Sequence, residues 1–201
     1  MYLIKVIGFF ILISTAANGY SFVIYQKPKW ENINYVGDED LGHLLDIYIP
    51  SQGEGPFPLV ITIAGSAWTD NNNKFWAYKY GGLGEELRKN GFAVVSMNHR
   101  SSYCSNFPAQ IHDVKAAVRF LRGNTERFNL NKNFIGIMGY SSGGHLAALM
   151  GTTGGLDQVV EGDKEISIEG QLGSFLDESS DVAVSYTHLR AHETSLHIVC
   201  R

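Results

Sequence analysis

Five consecutive residues, Gly139-Tyr140-Ser141-Ser142-Gly143, form a G-x-S-x-G pattern whose central serine is the foremost candidate nucleophile of the chain. The pattern is short, and its meaning comes from its surroundings. The apolar run FIGIM (134–138) precedes it and the small-residue run SGGHLAALM (142–150) follows it, so Ser141 is expected on a strand-to-helix turn. There its backbone must be strained for the hydroxyl to stand above the sheet, and glycines two residues to either side leave room for the crossing chain. The helix that begins at Ser142 aims its first N–H groups at developing negative charge. That combination suits acyl transfer, in which a serine oxygen attacks a carbonyl carbon and backbone donors hold the oxyanion.

A second feature agrees with the first. The β-branched run LVITI (59–63) leads directly into Ala64-Gly65-Ser66-Ala67-Trp68, whose small residues let backbone N–H groups approach a substrate oxygen closely. An oxyanion hole is expected there, completed by the N–H of Ser142.

Other reactive side chains are read as structural. His145 lies four residues after Ser141 on the same helix and is expected to be a hydrogen-bonded packing residue rather than a base. His43, His99 and His112 all precede the nucleophile. Asp113 near the start of a helix is read as a structural partner of Arg100, and Asp177, Glu178 and Asp181 as a solvated loop. Trp68, Phe75, Trp76, Tyr78 and Tyr80 fit either a sugar or aromatic-acyl platform or, more simply, core and loop anchoring. The stretch DNNNK (70–74) reads as a polar turn, Cys104 as a free, packed thiol, and no metal or cofactor is implied.

The elements that must position these residues follow from pattern. Residues 30–36 and 44–49 read as strands joined by the polar turn GDEDLG, an antiparallel hairpin. Strands 59–63, 92–97 and 134–138 are continuous apolar runs suited to burial on both faces. Between them lie a helix over 81–90 capped by Gly91, and one opened by Pro108 whose inner face is Ile111, Val114, Val118 and Leu121 and which Gly123 ends. The alternation predicts an α/β fold with a mostly parallel sheet and helices on both faces. An acidic, glycine-spaced stretch from 151 to 180, with a short hairpin near Ile166 and Ile168, is expected to be a surface insertion.

The chain has 201 residues, 44% hydrophobic and 18% charged, enough for one globular domain with a sizeable core. Sixteen basic against 20 acidic side chains give a net charge of −4, which argues against a nucleic-acid partner. Two cysteines exclude a disulfide framework, and the 22 glycines follow no repeat.

Both ends differ from the middle. Residues 1–19, MYLIKVIGFFILISTAANG, show one early cation, an uncharged run too short to span a bilayer, and small residues near a cleavage point at Ala17 or Gly19. They are read as a signal peptide of a secreted or periplasmic protein that keeps no membrane attachment after cleavage. Residues 184–201, VSYTHLRAHETSLHIVCR, resemble one translated frame of a sequencing-library adapter and are set aside as a non-native tail, so that His188, His192, His197 and Cys200 carry no function. The alternative is a genuine C-terminal edge strand. A single domain is therefore assigned to 20–183.

The segments LDIYIP, LVITIAGSAW, GFAVVSMNHR, FPAQIHDVKAAVRFLR and FIGIMGYSSGGHLAAL, in this order, resemble the α/β-hydrolase superfamily. Within it they are most similar to the secreted carbohydrate esterases of the acetyl-xylan and feruloyl esterase type, related to hormone-sensitive lipase. The resemblance covers roughly residues 30–183. It implies a Ser-His-Asp triad with Ser141 as nucleophile, a serine carboxylic ester hydrolase that deacetylates or deferuloylates plant polysaccharides through an acyl-enzyme, and no cofactor. The family's His-Gly-Gly-Gly-Trp loop stands here as AGSAW, with Ala64, Ser66 and Ala67 replacing the histidine and two glycines. By position the oxyanion donors are Ser66 or Ala67, together with Ser142. The resemblance places the triad acid and histidine beyond residue 183, so the fold is expected to be incomplete and the chain itself inactive. Two other readings stand beside this one: a prolyl-oligopeptidase-type serine peptidase domain, and a non-catalytic hydrolase-like binding module.

Overall fold

The computed structural model describes residues 26–187 and the backbone, but not the side chain, of His188. Residues 1–25 and those after His188 lie outside the described residues, so the signal segment and most of the adapter-like tail have no structural account.

Among the described residues six strands form one sheet in the order β1-β2-β4-β3-β5-β8, with β8 (Val184–His188) at the edge beside β5. β1 (Trp30–Asn34) and β2 (Leu44–Tyr48) are the expected hairpin, and β2 also runs antiparallel to β4 (Ala93–Met97). From β4 through β3 (Phe57–Ile63) and β5 (Leu130–Tyr140) the pairing is parallel. Successive side chains in a strand face opposite sides of a sheet, and the core divides accordingly. Leu45, Ile47, Leu59, Ile61, Val95, Met97 and Ile137 join the larger apolar cluster with α3 (Ala109–Gly123) and α5 (Ser142–Thr152). Tyr48 and Val94 point the other way and pack with Tyr78 and Leu87, from α1 (Lys74–Lys79) and α2 (Leu83–Lys89). Burial on both faces is why these strands read as unbroken apolar runs.

Local signals explain most boundaries. α2 stops where Gly91 takes φ 87°, with Gly91 N–H bonded to the Arg88 carbonyl and Phe92 N–H to the Leu87 carbonyl, a Schellman end. Ile111, Val114, Val118 and Leu121 are fully buried on α3, as their spacing predicts. Pro108 is the residue before that helix rather than within its first turn.

Four features differ from the sequence reading. The aromatic stretch after DNNNK forms the short helix α1, and α4 (Thr125–Phe128) precedes a β5 that starts earlier than expected. Cys104 is exposed, not packed, because it sits in the bend after β4 and not on an apolar face. The 151–180 stretch is only partly a surface insertion. Its hairpin, β6 (Gln158–Glu161) and β7 (Lys164–Ser167), is mostly exposed, but the chain then docks on α3: Ile168 is fully buried, and Glu169 bonds to the buried Lys115 and Arg119. Finally, Val184–His188 forms β8, parallel to β5, within the segment set aside as adapter-like. Backbone pairing along an open sheet edge demands little of the side chains that supply it.

Candidate active site

β3, β4 and β5 run parallel, so their C-terminal ends share one edge of the sheet. The AGSAW loop leaves β3 there, and Ser141 sits there between β5 and α5. Ser141 adopts φ 53°, ψ −121°, a conformation L-residues rarely take. Three glycines make this bend possible. A Cβ on Gly139 would collide with the Gly143 carbonyl, and one on Gly143 with the Ile63 carbonyl at the end of β3. A Cβ on Gly65 would lie 2.7 Å from both the Ser141 Cβ and the Tyr140 carbonyl. The AGSAW backbone is therefore pressed directly against the serine, and only glycine fits at the contact.

The donors are arranged as follows. Ser142 is the first residue of α5, where backbone N–H groups have no partner within the helix. Its side chain is buried, and its Oγ accepts the N–H of Ser66 at 2.9 Å. The Ser66 amide is thus already engaged, whereas the Ala67 amide has no acceptor among the described residues. Ala67 and Trp68 both have positive φ, 49° and 60°. The Trp68 carbonyl accepts from Ser102 N–H at 2.7 Å, and Ser101 Oγ donates to the Thr69 carbonyl at 2.8 Å, so the bend after β4 braces the loop from the side.

The histidines before the nucleophile are committed elsewhere. His43 lies between Asp38 (Nδ1···Oδ2 2.7 Å) and Asp113 (Nε2···Oδ1 3.3 Å). Burial alone would push its pKa down, but hydrogen bonds and charge from Asp113 and Asp38 outweigh this and hold it above the usual value. Asp113 also accepts from the Arg100 backbone N–H at 2.7 Å and pairs with its guanidinium, the structural role expected of it. His99 Nδ1 faces the Arg100 carbonyl, and burial lowers its pKa; His112 Nε2 faces the carbonyl of Ser167.

His145 packs edge-on against Trp68, with ring centroids 5.5 Å apart, and burial lowers its pKa. The expected hydrogen bond is missing at Nδ1, which is buried without a partner among the described residues.

The aromatic group divides. Tyr78 is buried and stacked on Tyr48, so it belongs to the core. Trp76 and Tyr80 line a cleft of about 480 Å³ with Gly65, Met138, Tyr140 and Tyr186. Ser66, Ala67 and Ser141 are not among its walls. In the DNNNK turn, Asp70 accepts from Asn72 N–H, and Lys74 is buried against Asp46. Asp181 accepts from the Gly155 amide. Among the described residues, no three His, Cys, Asp or Glu side chains are grouped to hold a metal ion. Sequence reasoning missed His43 and Glu169 as network centres; no local pattern marks either.

The family model described as BD-FAE matches residues 45–189 of the chain. The chain belongs to the BD-FAE family. That places it among the α/β-hydrolases, and the strand order around Ser141 is that of this fold carried as far as β8. Among solved structures, a bifunctional GH43-CE protein of Bacteroides eggerthii superposes with TM-score 0.75 at 49% identity, over 77% of this chain and 22% of that one. A truncated carbohydrate esterase from gut microbiota gives TM-score 0.73 at 47% identity, over 77% of this chain and 54% of the other. Esterase LipC of Mycobacterium tuberculosis is 32% identical over 119 residues, 57% of this chain and 28% of LipC. The chain therefore spans only about a quarter of the length of that curated relative. The match to the BD-FAE model also runs through β8, into the segment that resembles adapter sequence.

Proposed function

We propose that this chain carries the nucleophile half of a serine carboxylic ester hydrolase acting on carbohydrate-linked esters of the acetyl or feruloyl type. The observation that carries the reading is the backbone of Ser141: φ 53°, ψ −121°, at a strand-to-helix bend whose glycine contacts admit no side chain. Strain of this kind at a serine facing backbone donors is the arrangement that acyl transfer needs. The similarity to a carbohydrate esterase at 47% identity supports the substrate class.

In the proposed reaction, Ser141 Oγ attacks the ester carbonyl carbon while its proton passes to a histidine base. The oxyanion is held by the amides of Ala67 and Ser142. Collapse expels the sugar alcohol, which takes the proton, and leaves an acyl-enzyme that water hydrolyses to the free acid. Of the described histidines, His43, His99 and His112 are held by other partners, and His145 rides on α5 against Trp68. We therefore assign the base and its acid to sequence beyond these residues and expect little turnover from the 201-residue chain. Residues 1–19 are proposed to direct export to the periplasm or the medium.

A fluorophosphonate probe on the full-length gene product tests the assignment. Labelling should occur at Ser141 and vanish in Ser141→Ala; no labelling would favour a binding module. Hydrolysis of p-nitrophenyl acetate but not of prolyl peptides selects the esterase over the peptidase.

A further inference from the structure

The turn that follows Gly65 is one that its own residues do not favour. Thr69 N–H bonds to the Ser66 carbonyl at 3.0 Å, closing a four-residue turn, and both central residues, Ala67 and Trp68, have positive φ. Turns with two positive central φ values select glycine and asparagine, because a Cβ there crowds the backbone. An Ala-Trp pair left alone would relax to negative φ. Something outside the turn holds it.

Two side chains from one face of α5 meet this turn. Ser142 Oγ accepts the Ser66 N–H at the residue where the turn begins. One helical turn later, the His145 ring packs edge-on against Trp68, where the pair of positive φ values ends. Residues three apart on a helix lie side by side, so the same face grips the turn at both ends. The Ala67 amide lies between the two grips, without an acceptor among the described residues.

We propose that the Ser142 hydroxyl and the His145 ring are positioning residues: they clamp the Ser66–Thr69 turn in its strained form and so fix the Ala67 amide as an oxyanion donor. The clamp stands in for glycines at positions 66 and 67, and it rests on the reading of Ser141 as an esterase nucleophile. Ser142 then has two separate duties, its backbone N–H as donor to the oxyanion and its hydroxyl as acceptor of the Ser66 amide.

Ser142→Ala separates them, since it keeps the backbone amide and the helix and removes only the acceptor. In the 201-residue chain, exchange of the Ser66 amide with solvent should speed up about tenfold, the loss of one hydrogen bond. In the full-length protein, kcat for p-nitrophenyl acetate should fall by about ten- to a hundredfold, the cost of misplaced catalytic groups, with KM and Tm nearly unchanged. Adding Ala67→Gly, which lets position 67 take positive φ without crowding, should shrink the Ser142→Ala loss to about threefold or less. Unchanged exchange at Ser66, or an equal loss of kcat with Ala and with Gly at position 67, would overturn the clamp while leaving the esterase reading intact. Full hydrolysis by Ser141→Ala would overturn both.

Discussion

The bend at Ser141 and the polar frame around α3 solve opposite problems. At the bend, the backbone of β3, β5 and α5 comes so close that side chains are excluded, and three residues, Ala67, Trp68 and Ser141, hold positive φ without being glycine. Around α3, ionised side chains are buried and nearly every one is answered. Lys115 and Arg119, both almost fully buried, share Glu169, which also accepts from Ser180; Asp113 is shared by Arg100 and His43. One region stores strain and the other removes it. Strain at a reactive residue persists only when its surroundings over-determine it, and the frame reaches those surroundings through Arg100, whose backbone N–H bonds to Asp113 directly before Ser101 and Ser102 bond to the loop that carries Ala67 and Trp68.

The largest effect should come from filling the bend. Gly143→Ala puts a methyl group into the Ile63 carbonyl, and Gly139→Ala does the same to the Gly143 carbonyl. Both obstacles are backbone atoms, which cannot swing aside. Each variant should lose about 3 kcal/mol or more, seen as a collapsed Tm or insoluble protein. Parent-like melting would mean the close approach is not built as described.

The frame should break by a different route. Glu169→Ala leaves Lys115 and Arg119 buried without their carboxylate. Removing one partner of a buried ion pair costs about 3–5 kcal/mol, and the lower end applies because Glu169 is itself partly exposed. Glu169→Gln keeps hydrogen-bonding capacity and should cost less. Urea denaturation of the two variants reads the difference; equal and small losses would show that the cluster is solvated rather than buried.

The two regions also differ in how legible they were. The bend announces itself in five contiguous residues because its rule is local and steric: glycine, serine and glycine at fixed spacing. The strands and α3 were equally visible, since burial on both faces writes a continuous apolar run and burial on one face writes Ile111, Val114, Val118 and Leu121. The frame was not visible. His43 and Asp113 are 70 residues apart and Arg119 and Glu169 are 50 apart, so neither partnership leaves a pattern in any window. α1 was hidden because a six-residue helix is too short to show a period, and because Lys74 and Tyr78 turn inward to Asp46 and Tyr48 from what reads as a polar and aromatic loop. β8 was set aside because the adapter resemblance of its segment outweighed a five-residue alternation, Val184 and Tyr186 against Ser185 and Thr187, too short to decide for a strand; its place is set by backbone pairing along the β5 edge. The Ser66 amide shows the same limit inside the site. Position alone left Ser66 and Ala67 as equal donors, and only the Ser142 hydroxyl, 76 residues away, tells them apart.

The smallest effect is a pH dependence that separates one histidine of the frame from those nearer the bend. His43, 3% exposed, is held above its ordinary pKa by Asp113 and Asp38, so the native state binds this proton more tightly than the unfolded chain. Its stabilisation is complete below about pH 6.5, the unfolded value, and is lost as pH rises through the native one. His99 and His145 behave oppositely. Burial lowers both, so each favours the native state while neutral and destabilises it as pH falls below about 6.5 and the unfolded chain takes up protons. In the wild type the opposing slopes partly cancel between pH 5 and 8. His43→Gln removes only the first, so its Tm should lie below wild type by a few degrees at pH 5.5, on the order of 1 kcal/mol, and the gap should narrow toward pH 8.5. A gap that widens with pH would mean that His43 is neutral between its two carboxylates, and that the frame is closed by hydrogen bonds rather than charge.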